Sequence, residues 1–435
     1  MQFLDFVVNQ VLREPSIFLG LIVLLGMVFM KRDFKNILVS TLKTIVGVRI
    51  LQVGAGTLVS SSRPIMNMLV ARFGLQGRVA DPWTGVGEGL EIMADTPLVG
   101  QIGLIMVVAW LVHLLLSRIT KLKVVYLTGH VAFSDTALVT FFAWALTGWT
   151  DWRAIALAVG LLAIYWWLWP ALMKKPLEKL VGDDNITIGH NMAVFGWVAM
   201  QISKLTGDTS KDTEKLEFPG WLSVMKDSVI SYSVIMAILY TTIGILAGPT
   251  VGAEYSGGMN YILYSFMQGI NIAVGVTILL LGVRMFLAEL LPAFQGFARV
   301  VVPGAVPAVD NPVFWTYAPQ ATLLGLIFTV FGMLAGILLQ VVLGFTYVTV
   351  PSVIPIFFGG CTLGAFASKY GGVRGTIIST FVLGIVQVLG AVWLSQVVNF
   401  QVAGGGHIDY TTYWPALLTV LKTVLGFFGI SGYAG

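Results

Sequence analysis

Apolar residues run along this chain in long stretches broken by brief polar turns. The stretches are too long for barrel strands and show no strict alternation, so they predict helices able to cross a bilayer. Spans are predicted near 16–30, 37–60, 98–117, 124–147, 153–172, 228–248, 261–286, 319–344, 346–368, 376–399 and 412–430, about eleven in all. Between 311 and 368 there is no Asp, Glu, Lys or Arg. A water-soluble core cannot hide that much apolar chain. The expected fold class is therefore an all-α polytopic membrane protein.

Composition agrees. Hydrophobic residues make up 57% of the chain and charged residues 11%, against about 25% charged in soluble domains; the mean hydropathy is +0.87. A net charge of +4 is no nucleic-acid signature. The single cysteine, Cys361, excludes an internal disulfide framework and sits in an apolar run, where a thiol usually packs. No cleavable signal peptide is expected, because no small-residue cleavage site follows the first span. Basic residues follow the first span (Lys31, Arg32, Lys35), the third (Arg118, Lys121, Lys123) and the fifth (Lys174, Lys175, Lys179). The positive-inside rule puts those ends in the cytoplasm. The N-terminus then lies outside and, with an odd number of spans, the C-terminus lies in the cytoplasm.

The polar segment 174–227 mixes acidic and basic residues and reads as a cytoplasmic connector or a docking surface for a partner. Within it, TIGHNMAVFGW (187–197) is too apolar for a plain linker and is expected to dip toward the membrane or pack on the bundle. Three pairs of segments echo one another in the same order: VGVRILQ (46–52) with LGVRMFL (281–287), RVADPW (78–83) with PAVDNPVFW (307–315), and TGHVAF (128–133) with TLGAFA (362–367). The first unit holds an odd number of spans, so the second would enter with opposite polarity. That is an inverted repeat, an arrangement of transporters that bind substrate near mid-membrane. The expected division within one membrane domain is a first repeat over 1–180, a connector over 181–227, a second repeat over 228–400 and a last span within 401–435. The stretch 350–372, with Pro351, Pro355 and two glycine pairs, predicts a re-entrant or broken helix with its tip near Gly359 to Thr362.

Ionisable residues inside a membrane are costly and default to functional hypotheses. The candidates are His130, His190 and Asp310, with Asp135, Arg284 and Glu289 beside them, and Gln52, Thr84, Ser134, Asn191 and Thr362 as polar neighbours. His130 and His190 each follow a glycine, and neutral imidazole both donates and accepts, which suits a hydroxyl-rich substrate. Metal binding is the poorer reading, since no HxxxH or CxxC spacing occurs. Asp310 lies among Pro303, Pro307 and Pro312, which break helix and free backbone to line a cavity. A carboxylate there can accept from hydroxyls or act as a base; otherwise it caps the next helix. Arg284 and Glu289 read as a structural ion pair or interfacial charges, and Asp135 as a partner of a cation or a helix cap. No Walker A or Ser-His-Asp arrangement is present, and no cofactor is expected.

LQVGAGTL (51–58), LTGHVAF (127–133), TIGHNMAVFGW (187–197), LEFPGWL (216–222), GVRMFLAEL (282–290), VPGAVPAVD (302–310) and IPIFFGGCTLGAFASKYGG (354–372) together resemble the membrane IIC component of the ascorbate branch of the bacterial phosphoenolpyruvate-dependent phosphotransferase system. The likeness runs from about residue 15 to 380. It implies a homodimer in the bacterial inner membrane, with about eleven spans per chain, a mobile core domain and a dimerising domain, and elevator-like transport. It also implies cytoplasmic partners: IIA and IIB relay phosphate, and a phosphocysteine on IIB modifies the bound sugar-like substrate. No IIA or IIB domain is expected here, and no phosphoryl-carrying residue. The family's two site histidines and aspartate carry over to His130, His190 and Asp310. Ser134 and Asn191 stand where the ascorbate pattern has glutamines, and Trp83 where it has a tyrosine. The substrate thus stays open among L-ascorbate, another sugar, a sugar acid and a polyol. The alternative mechanism is a proton-coupled secondary transporter using Asp310 or His130. A purely structural role would leave the polar mid-membrane residues unexplained.

Overall fold

The computed structural model describes residues 14–73, 77–80, 82–216, 228–345, 348–351, 354–400 and 408–434. Helices dominate: α1 (Pro15–Phe29), α2 (Phe34–Phe73), α3 (Pro82–Ile92), α4 (Ile102–Ile119), α5 (Gly129–Thr147), α6 (Trp152–Val181), α7 (Ala193–Thr206), α8 (Ser228–Tyr255), α9 (Tyr261–Val301), the single turn α10 (Pro312–Trp315), α11 (Pro319–Val342), α12 (Gly360–Val398) and α13 (Tyr413–Phe427). Among the described residues, seven helices are long and apolar enough to cross a membrane. The chain is a mostly helical, multi-pass membrane protein.

One feature departs from an all-α fold. Five short strands interrupt the helices: β1 (Gly77–Ala80), β2 (Val124–Tyr126), β3 (Thr187–Ile188), β4 (Val306–Val309) and β5 (Val348–Pro351). Their cause is local. Pro303 cannot continue α9, so the helix stops at Val301 and, after a turn, the chain runs extended over Val306–Val309. Extended backbone away from water must still satisfy its N–H and C=O groups. It does so by pairing: β2 and β3 flank β4 in a parallel three-stranded sheet, and β1 pairs parallel with β5. In register, Val124, Val125 and Tyr126 face Val306, Pro307 and Ala308, while Thr187 and Ile188 face Ala308 and Val309. The 187–197 stretch is therefore a strand followed by α7, packed on α12.

The expected tip at Gly359 to Thr362 is not where the chain breaks. It stays helical there, through a π-helical turn (Pro355–Gly359) into α12. The break falls at Gly371 and Gly372, the latter at φ 55. Backbone carbonyls of Asp208 and Lys211 press against Gly372, leaving no room for a Cβ.

Packing separates two groups of helices. α9 lies along α1, α2 and α8; α12 lies along α7 and α11, with α4, α5, α6 and α13 completing the second group. Nearly every side chain of α5 is buried, so it is the interior helix of its group.

Candidate functional site

The three parallel strands explain how distant residues meet. Each ends at the same edge of the small sheet, and each is followed within two residues by a polar side chain. After β2 come Thr128, Gly129 and His130; after β3 come Gly189, His190 and Asn191; after β4 come Asp310 and Asn311. Parallel register thus collects side chains far apart in sequence, as the carboxyl ends of strands do in larger sheets. The ladder reaches past its strands: Leu127 N–H donates to Ala308 O at 3.0 Å, and Gly189 N–H to Val309 O at 2.8 Å. Gly189 has to be glycine, because a Cβ there would overlap the carbonyl of Ala308.

At the centre, Asp310 lies between the two imidazoles. His130 Nε2 is 3.5 Å from Asp310 Oδ2, and His190 Nε2 is 3.9 Å from Oδ1. Oδ1 also accepts from the backbone N–H of Asn311 at 2.7 Å. These groups open onto a cavity of about 410 Å³, within the usual range of small-molecule sites. Its walls are unlike. Leu127 to Val131, Ser134, His190, Val309 to Asn311, Ile354 and Phe358 come from the second helix group and its strands. Leu19 of α1, Val48, Leu51, Gln52 and Ala55 of α2, and Phe286 and Leu290 of α9 form the facing wall, which is apolar apart from Gln52.

The other expected site residues divide. Gln52 lines the cavity at its rim, held by Glu14 (3.1 Å) and Arg49 (3.1 Å). Ser134 lines it too, with its hydroxyl donating to Val131 O at 2.9 Å. Asn191 and Thr362 are buried off the cavity: the Asn191 amide donates to Asp135 Oδ1 at 3.1 Å, and Thr362 Oγ1 accepts from Trp315 Nε1 at 2.9 Å. The side chains of Trp83 and Thr84 lie outside the described residues.

Asp135 neither meets a cation nor caps a helix. It is fully buried and accepts from neutral donors: Tyr410 (2.7 Å), Trp166 (2.9 Å), Asn191 (3.1 Å) and Tyr126 (3.5 Å). Beside it Asp409 accepts from Tyr165 Oη and from the backbone N–H groups of Val194 and Phe195, so it is Asp409 that caps α7. Its own N–H donates to Asn191 O at 2.9 Å. The loop carrying His190 is thus fixed from two sides by buried carboxylates. Glu289 does not pair with Arg284; it meets Lys43 and Ser40 of α2. Sequence reasoning passed over Asn311, Thr128 and Asp409. For Asn311 a signal existed, its place beside Asp310 ahead of a proline.

The family model described as EIIC-GAT, PTS system sugar-specific permease component, matches residues 10–416. The ascorbate-specific PTS system EIIC component of Mycoplasma pneumoniae (strain ATCC 29342 / M129 / Subtype 1) is 23% identical over 427 residues. That match takes in 88% of this chain, and the chain spans 65% of the relative's length.

Proposed function

The chain belongs to the family of PTS sugar-specific permease components, and from that membership we propose that it carries L-ascorbate or a related sugar, sugar acid or polyol across the bacterial inner membrane for phosphorylation by a separate IIB protein. His130, His190 and Asp310 hold the substrate, with Gln52, Ser134, Thr84 and Trp83 around it. Asn191 and Thr362 act from behind, through Asp135 and Trp315. In the phosphorylation step a substrate hydroxyl attacks the phosphoryl group on the IIB cysteine. The S–P bond breaks, the thiolate leaves, and Asp310 orients the hydroxyl and takes its proton.

One observation carries the transport mechanism: the polar groups sit on one helix group and the facing wall is apolar. A substrate held by the first can slide with it past the second, which is the geometry an elevator-type movement needs. The inverted repeat finds support in the strands. β1 and β2 of the first half pair with β5 and β4 of the second, a reciprocal exchange that a two-fold between halves would produce. The homodimer, the outside N-terminus and the cytoplasmic C-terminus complete the reading.

The test is reconstitution of the purified chain in vesicles with phospho-IIB. Phosphorylated carbohydrate appearing on the IIB side is the expected result. Uptake driven by a pH gradient, with no phosphorylated product, would instead establish the proton-coupled alternative, for which Asp310 between two imidazoles is the motivating feature.

A further inference from the structure

We infer that a second, smaller cavity takes the end of a phospholipid acyl chain. It measures about 130 Å³ and lies where the two helix groups meet. Phe18 of α1 supplies one side; Met106, Trp110 and Leu111 of α4 and Ala132 of α5 supply the other. The lining is apolar almost throughout. Trp110 Nε1 is already committed, donating to Tyr126 O at 2.8 Å, and the hydroxyl oxygen of Thr128 is itself buried. A water held in a cavity needs roughly two to four polar partners, whereas apolar cavities of about this size stay dry and admit apolar guests. The crevice therefore suits hydrocarbon and not water.

The surroundings name the hydrocarbon. Leu104, Val108, Leu111 and Leu115 are exposed along one face of α4, a stripe that meets lipid in a membrane-spanning helix. Leu111 belongs both to this stripe and to the crevice lining, so the bilayer surface runs into the crevice without a polar break. Depth matches as well. Arg118, Lys121 and Lys123 mark one end of α4, where basic side chains sit among headgroups. Leu111 and Val107, both lining residues, precede Arg118 by seven and eleven positions. At about 1.5 Å per residue they lie roughly 10 and 16 Å below it. The hydrocarbon of one leaflet is about 15 Å thick. A lipid at the Arg118 end of α4 thus brings the last carbons of its chain to the crevice, and not its ester region. Seated there, the chain end touches α1 on one side and α4 and α5 on the other. Thr128 and Gly129, which line both cavities, divide it from the larger one.

The experiment places the full chain in lipid nanodiscs containing a phospholipid with a diazirine near the terminal methyl of one acyl chain. Photolysis is followed by peptide mass spectrometry. The expected result is adducts on Phe18 and Ala132, which are buried from bulk lipid, alongside those on exposed Leu104 and Leu115. In Leu111→Trp the larger side chain closes the mouth. Adducts on Phe18 and Ala132 then fall severalfold while those on Leu104 and Leu115 persist. Leu111 is 54% exposed, so the fold accommodates the added bulk. A diazirine beside the ester labels the level of Ile119 and spares the crevice. Adducts confined to Leu104 and Leu115 overturn the inference, as does undiminished labelling of Phe18 and Ala132 in Leu111→Trp. Labelling of the crevice by the ester-side probe overturns its assignment to a chain end. If Phe18 and Ala132 stay unlabelled and Leu111→Cys yields disulfide-linked dimers, the crevice belongs to a second copy of the chain and the inference fails. None of these outcomes depends on which solute the protein carries.

Discussion

Asp310 sits between His130 and His190 because three strands end together. A hydrogen bond to a charged group contributes about 1.5–3 kcal/mol. Asp310→Asn and His190→Ala are each expected to weaken carbohydrate binding by roughly ten- to a hundredfold, with little change in oligomeric state; titration calorimetry and light scattering check both halves. Asp135 makes a different prediction. Asp135→Ala strands buried donors on Tyr410, Trp166 and Asn191, at about 1–3 kcal/mol for each unsatisfied group. Its melting temperature in detergent should fall well below that of Asp310→Asn, and binding should weaken as the His190 loop loosens. An unchanged melting temperature would remove Asp135 from this role. The glycine-histidine contexts and the proline-flanked Asp310 were legible because intramembrane polarity is rare. What Asn191 and Asp135 do was not legible, since the pairing depends on Tyr410, a residue brought close only by the folded chain.

The helices were legible as elements, because long apolar runs have few other outcomes. The strands were not: two to four residues are too few to show a period of two, and they exist because extended backbone inside a bilayer needs a partner. The echoing segments 46–52 and 281–287 lie on α2 and α9. Those segments touch, with Gly47 backed onto Phe286 and Gly282 onto Leu51. Gly54 in turn meets Gly275 and Leu279, so α2 and α9 cross backbone to backbone at glycines one heptad apart on each helix. Gly282→Val forces a side chain into that crossing and should cost about 1–3 kcal/mol or more. Gly160→Ala on α6 meets nothing within 4 Å, and should be neutral or stabilise by up to about 1 kcal/mol. Thermal unfolding in detergent reads both. The connector after α7 carries a pH prediction. Burial pushes the Asp212 carboxyl up, but the Glu214 N–H and the Lys369 ammonium outweigh it, and the carboxyl is held below its ordinary value. A depressed carboxyl stabilises the fold above its unfolded value, about 3.9, and that contribution is lost as pH falls through the folded value. Protease cleavage in 207–216 should rise on acidification below about pH 4, and in Asp212→Asn the connector should be cleaved readily at neutral pH with a flatter acid response.

At the scale of the whole molecule, the two helix groups and the unlike walls of the cavity belong to one design. Hydropathy alone could not distinguish the groups, because a helix facing lipid and a helix facing another helix read alike as apolar. The elevator reading makes a demand on the contact between the groups. Phe18 of α1 and Trp110 of α4 meet edge to face across it, with ring centroids 5.9 Å apart. If the second group slides past the first, this contact must part in every cycle. A Phe18→Cys/Trp110→Cys pair bridged by a short bifunctional thiol reagent should therefore halt transport in vesicles and leave carbohydrate binding in place. Cleaving the bridge should restore transport. Cys361 is fully buried, so it does not compete for the reagent. Undiminished transport through a fully bridged protein would mean that these helices do not move apart, and substrate would then have to pass through a gate opening within a fixed pair of groups.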